Sequence, residues 1–86
     1  MAQVTGKRRD LEEDEYALEM GEYGKNTEGH WYCRVPAPGF GVGGLGKHDI
    51  VEHEDGTITV SPSILCYGHH DNQWHGYLER GVWREV

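Results

Sequence analysis

An 86-residue chain of 9.8 kDa has room for one small domain with a lean core, which excludes two-domain enzymes, doubly wound nucleotide folds and large barrels. Hydrophobic residues make up only 36% of it and glycine contributes 13 positions, so apolar burial must be concentrated in a few side chains. Fifteen acidic residues against eight basic ones leave a net charge of −7, which argues against nucleic acid and anionic membranes as partners, because both select clustered Lys and Arg.

No stretch approaches the ~18 consecutive apolar residues of a membrane-spanning helix. The N-terminus carries Lys7, Arg8 and Arg9 with no apolar run behind them, unlike a secretory leader. Two cysteines, Cys33 and Cys66, are too few for a disulfide scaffold. The expected setting is reduced and cytoplasmic.

In chain order, residues 1–14 read as a flexible acidic tail, since the run from Asp10 to Glu15 is acidic at all but Leu11 and repels itself. Residues 15–86 read as a single small β domain. Tyr16, Leu18 and Met20 alternate with polar or small residues, which suggests a strand, followed by a loop punctuated by Gly21, Gly24 and Gly29. His30–Val35 is aromatic and β-prone, with Trp31, Cys33 and Val35 on one face. Pro36 and Pro38 end it, and the glycine-dense stretch 39–46 reads as a flexible loop.

Asp55-Gly56 between Ile50–Glu54 and Thr57–Val60 predicts a hairpin with a two-residue type I′ turn. That register sets Val51 opposite Val60 and His53 opposite Ile58 on a buried face. Ser61-Pro62-Ser63 breaks the ladder, Ile64–Tyr67 forms a short strand, and Gly68–Gln73 is a polar loop. A second hairpin closes the chain, turning at Arg80-Gly81 and pairing Leu78 with Trp83 and Tyr77 with Arg84. Two hairpins plus one or two further strands, with no helix, imply an all-β fold: a small antiparallel curled sheet or an open barrel.

The run Glu54–Ile64, followed by His75–Trp83, resembles a family of small phage and bacterial proteins of unknown function. Gly29–Pro36 is similar to the version carried by actinobacterial phages, and the likeness covers residues 29–86. It implies a phage origin and a fold, and no activity. Family members carry a Cys-rich N-terminal stretch and a Cys-x-x-His before the last hairpin. Here His75 holds the His position, Asn72 stands where that Cys would be, and Cys33 is alone upstream, a departure that weakens a metal site inferred from the family.

Cys33, Cys66, His69 and His75 are the candidate ligands for a structural zinc, since thiolate and imidazole suit that ion and a small core gains from it. The bland alternative is a core Cys66 beside solvated histidines. Gly41–His48 falls one residue short of a phosphate-binding loop, with His48 in place of the hydroxyl and a strand pattern, not a helix, behind it. Ser61 or Ser63 with His53 or His75 and Asp49 or Asp71 could be assembled into a hydrolase, although Ser61-Pro62-Ser63 is better explained as a strand break. The aromatic residues exceed what so small a sheet can bury. Trp31, Tyr32, Trp74 and Trp83 are therefore the candidate anchors for a protein partner, a host or phage protein, with the acids at 10–15 steering a basic surface. The expectation is a phage-encoded protein-binding module without catalysis; the alternatives are a zinc-stabilised β module and a compact hydrolase.

Overall fold

The structure, a computed structural model, describes residues 3–13 and 15–86, which form ten short strands and one 3-10 turn with no α-helix. The strands are β1 (Gln3–Thr5), β2 (Lys7–Arg8), β3 (Glu22–Lys25), β4 (Trp31–Cys33), β5 (Gly43–Gly44), β6 (Asp49–Glu52), β7 (Ile58–Ser61), β8 (Ile64–Tyr67), β9 (Gln73–Glu79) and β10 (Val82–Glu85). They make three sheets, ordered β1-β10-β9-β8, β2-β3-β4-β5 and β6-β7, and none closes into a barrel. The all-β expectation holds, spread over three small sheets. No helix is long and apolar enough to cross a membrane.

The terminal hairpin has the expected register, with Trp83 opposite Leu78 and Arg84 opposite Tyr77. Both turn residues are left-handed (φ 47° at Arg80, 78° at Gly81), as a two-residue turn matched to strand twist requires. The central hairpin departs from expectation by one residue: Ile50 faces Val60 and Glu52 faces Ile58. The reason lies in the turn. His53 N–H donates to the Thr57 carbonyl at 2.8 Å and Gly56 N–H to the His53 carbonyl at 3.0 Å, so the loop has three residues, closed by Gly56 at φ 87°. Asp55 accepts from the Thr57 backbone N–H at 3.0 Å and its hydroxyl at 2.6 Å, which locks that form. Because side chains alternate, the slip exchanges faces. Ile50 turns inward, and Val51 is 55% exposed.

Residues 3–13 are no free tail. β1 pairs with β10, and β2 runs parallel to β3, a ladder continued by Arg9 N–H to the Tyr23 carbonyl and Leu11 N–H to the Lys25 carbonyl. Leu11 is buried. Of the charges that suggested repulsion, Asp10 meets Arg8 at 2.9 Å and Glu15 meets Arg9 at 3.4 Å. Asp14 lies outside the described residues. The strand expected at Tyr16–Met20 is irregular backbone with Leu18 buried, and the strand forms instead at Glu22–Lys25, where a loop was expected. Glycine is required there: a side chain at Gly24 would collide with the Arg9 carbonyl.

The core gathers Trp74, Leu78 and Trp83 from the first sheet, Tyr23, Cys33 and Val35 from the second, and Ile58 and Val60 from β7. Phe40 and Leu45 of the glycine-rich stretch and Ile64 complete it, so that stretch is anchored at two points. Each fully buried side chain stabilises the fold by about 1.5–3 kcal/mol.

Candidate functional site

The four proposed aromatic anchors divide into two pairs. Trp74 and Trp83 are 3% and 1% exposed, and their rings meet edge-on with centroids 5.5 Å apart. Trp83 also donates its indole N–H to the Gly21 carbonyl at 2.9 Å. Both are core residues and unavailable to a partner, because a sheet this thin uses its largest side chains to fill the space between layers.

Trp31 and Tyr32 behave differently. Both are half-buried and line an open groove of about 470 Å³, together with Leu45, His48, Ile50 and the glycines at 29, 44 and 46. Trp31 is held by cations: the Arg8 guanidinium lies 5.0 Å and the Lys25 ammonium 5.7 Å from its ring centroid. Glu52 binds both, Arg8 at 2.7 Å and Lys25 at 3.5 Å. The hydrogen bond from Arg8 keeps the Asp10 and Glu52 carboxyls below the usual carboxylate range. Tyr32 is braced by Tyr16, whose ring stands edge-on to it at 5.3 Å. Burial and the neighbouring Tyr16 raise the Tyr32 phenol.

His48 adds the groove's polar feature. Its Nε2 lies 3.2 Å from the Ser63 carbonyl, which can only accept, so Nε2 carries the proton and Nδ1 is left as an acceptor. That Nδ1 is buried and has no hydrogen-bond partner among the described residues. A buried acceptor left unpaired costs about 1–3 kcal/mol. The groove combines aromatic walls with an apolar contribution from Leu45 and Ile50, and His48 lies beside them. Such a mixture suits binding by shape with few polar contacts.

The proposed metal ligands do not converge. Cys66 faces Trp74 across the β8–β9 ladder while His75 faces Leu65, so alternation sends Cys66 inward and His75 outward. His75 meets the Ser63 hydroxyl at 2.8 Å, and His69 is exposed in the turn His69–Asp71. Burial drives the Cys33 thiol up to about 12, with nearby Cys66 adding to it, and burial also raises Cys66. Among the described residues, no group of three or more Cys, His, Asp or Glu side chains gathers in ligating geometry.

The hydrolase combinations leave one real contact, Ser63 with His75, and it stands exposed at the surface. No carboxylate hydrogen-bonds His75 to orient it among the described residues, and nothing there excludes water. His53 instead meets Thr59 at 2.7 Å. The glycine stretch is followed by strand β6, so the helix N-terminus a phosphate loop needs is missing.

Sequence reasoning missed Leu45, His48 and Ile50 as groove residues, and Tyr16 as the brace of Tyr32. Ile50 was hidden by the hairpin slip. His48 carries a usable signal, a lone imidazole between a glycine-rich loop and a strand. Comparison with protein-family models, with curated proteins and with solved structures returns no match for this chain.

Proposed function

We propose that the chain is a small non-catalytic protein-binding module whose contact surface is the groove lined by Trp31, Tyr32, Leu45, His48 and Ile50. The observation that carries this reading is the coincidence of two half-buried aromatics, Trp31 and Tyr32, with Leu45 and Ile50 in one open groove. Aromatic side chains braced by cations and by each other are pre-organised, so little conformational entropy is lost when a partner covers them. The net charge of −7 favours a partner with a basic surface and speeds its approach. The resemblance to small phage proteins makes a host or phage protein the partner to look for.

The test is site-specific photocrosslinking in cells that naturally make the chain. A benzophenone amino acid placed at position 32 is expected to give a discrete protein adduct. The same group at position 67, where Tyr67 is 69% exposed on the far sheet, serves as the control. Identical adduct patterns from both positions, or none from position 32, would overturn the groove as the contact surface.

A further inference from the structure

The groove follows a strand edge on both of its sides. Tyr32 and Gly44 share one face of the β4–β5 ladder, whereas Trp31 and Leu45 share the other, yet all four line the same groove. A surface that touches both faces of a ladder runs along its edge. Leu45 N–H donates to the Trp31 carbonyl at 2.9 Å, so the hydrogen-bonded pairs of this ladder are 45/31 and 43/33. Gly44 is therefore in a non-bonded pair, and its N–H and C=O point away from β4.

Ile50 stands in the same condition across the groove. His53 N–H bonds the Thr57 carbonyl, which makes 51/59 a bonded pair and 50/60 a non-bonded one. The N–H and C=O of Ile50 thus point away from β7. Neither Gly44 nor Ile50 has another backbone or side-chain partner for these groups among the described residues. β5 and β6 follow each other in the chain through Leu45–His48 but belong to different sheets, with the groove touching both. Gly46, which lines the groove, fits the same picture: an added Cβ there would meet nothing within 4 Å and φ is not left-handed. The fold itself does not require glycine there, whereas a second backbone approaching closely would.

Charge sets the chemistry of what enters. Glu12, Glu13 and Glu28 line an adjoining pocket with Tyr16, whose ring abuts Tyr32, and none of the three is in an ion pair among the described residues. Lys47, next to His48, is exposed and is not among the groove's lining residues. We propose that the gap between β5 and β6 accepts an extended, lysine- or arginine-bearing segment of a partner protein as an added strand. The segment pairs with the outward backbone of Gly44 and Ile50 and directs its cationic side chains toward Glu12, Glu13 and Glu28. This rests on the groove being the binding surface and adds the conformation and charge of what it binds.

The test is an NMR titration of the full chain with an acetylated octapeptide alternating lysine and valine. The Gly44 and Ile50 amides are expected to shift and to gain protection from hydrogen exchange. N-methylation of alternate peptide nitrogens is expected to weaken binding about tenfold, because it removes hydrogen bonds without changing the side chains. A glutamate–valine octapeptide is expected not to bind. Equal binding of the N-methylated peptide, with shifts at Trp31 and Tyr32 only, would overturn strand addition and leave the groove intact. Preference for the glutamate peptide would overturn the charge assignment. No binding of the lysine peptide, or Gly44 and Ile50 protected without peptide in a concentration-dependent dimer, would overturn the proposed occupant.

Discussion

Trp83 and Tyr32 show how differently two aromatic residues can serve one small chain. Trp83 is 1% exposed, packs edge-on against Trp74 and ties its indole N–H to Gly21, a residue 62 positions away in sequence. Trp83→Ala is expected to lose about 3–5 kcal/mol, comparable with the whole stability of a core this size. Trp83→Phe keeps most of the packing and loses the hydrogen bond, for about 1–3 kcal/mol. Tyr32→Ala should stay within about 1 kcal/mol of wild type in urea unfolding while abolishing the adduct formed by a benzophenone amino acid at position 46, another groove position. The cysteines make a second residue-scale prediction. Burial holds the Cys33 thiol near 12 and raises Cys66, so Ellman's reagent at about pH 8 should modify at most Cys66 in the native protein and both residues after denaturation. Prompt native reaction of both thiols would contradict the burial of Cys33.

At the scale of elements, the two hairpins obey the same rule with different loop lengths. The β9–β10 turn places Arg80 at φ 47°, a conformation that costs a side chain with a Cβ and that Asn tolerates better. Arg80→Asn is expected to raise stability by about 0.5 kcal/mol, read as a shift of the urea midpoint at constant slope. The β6–β7 loop depends on Gly56 at φ 87°, so Gly56→Ala should cost about 1 kcal/mol or more. The register itself can be checked: amide exchange should protect Val51, bonded to Thr59, and leave Ile50 N–H fast. The reverse pattern would mean the two-residue turn and would remove the free edge from the groove.

Across the whole molecule, the N-terminal segment joins the sheets. β1 lies on β10 and β2 on β3, with Gly6 N–H bonded to the Gly81 carbonyl at 2.7 Å between them. Its attachment depends on ionised carboxylates. The Arg8 hydrogen bond lowers Asp10 from 3.8, and the Glu19 N–H, followed by Arg9, lowers Glu22 from 4.5. A carboxyl whose folded pKa is depressed binds fewer protons when folded, so its stabilisation is complete above the ordinary value and is lost as pH falls through the folded one. Stability should therefore be flat near neutrality and decline below about pH 4, with the Gln3–Leu11 amides losing exchange protection first. Glu22→Gln should flatten that acid limb and lower stability at neutral pH.

By itself the sequence determined the all-β class, the terminal hairpin and its register, and the existence of the central hairpin. These depend on contacts within a few residues, Arg80-Gly81 and Asp55-Gly56 among alternating apolar side chains, which local chemistry settles. It also marked Trp31 and Tyr32 as candidate partner anchors, but it could not separate them from Trp74 and Trp83, since exposure depends on which sheet faces which. Tertiary structure alone decided that the N-terminal stretch would be held, because Asp10 accepts from the Lys25 backbone N–H and Arg9 reaches Glu22 only once β2 lies beside β3. It separated Cys66 from His75, neighbours in sequence sent to opposite faces by strand alternation. And it left Gly44 and Ile50 facing one groove with their backbone unpaired, a consequence of two consecutive strands joining different sheets that no local pattern encodes.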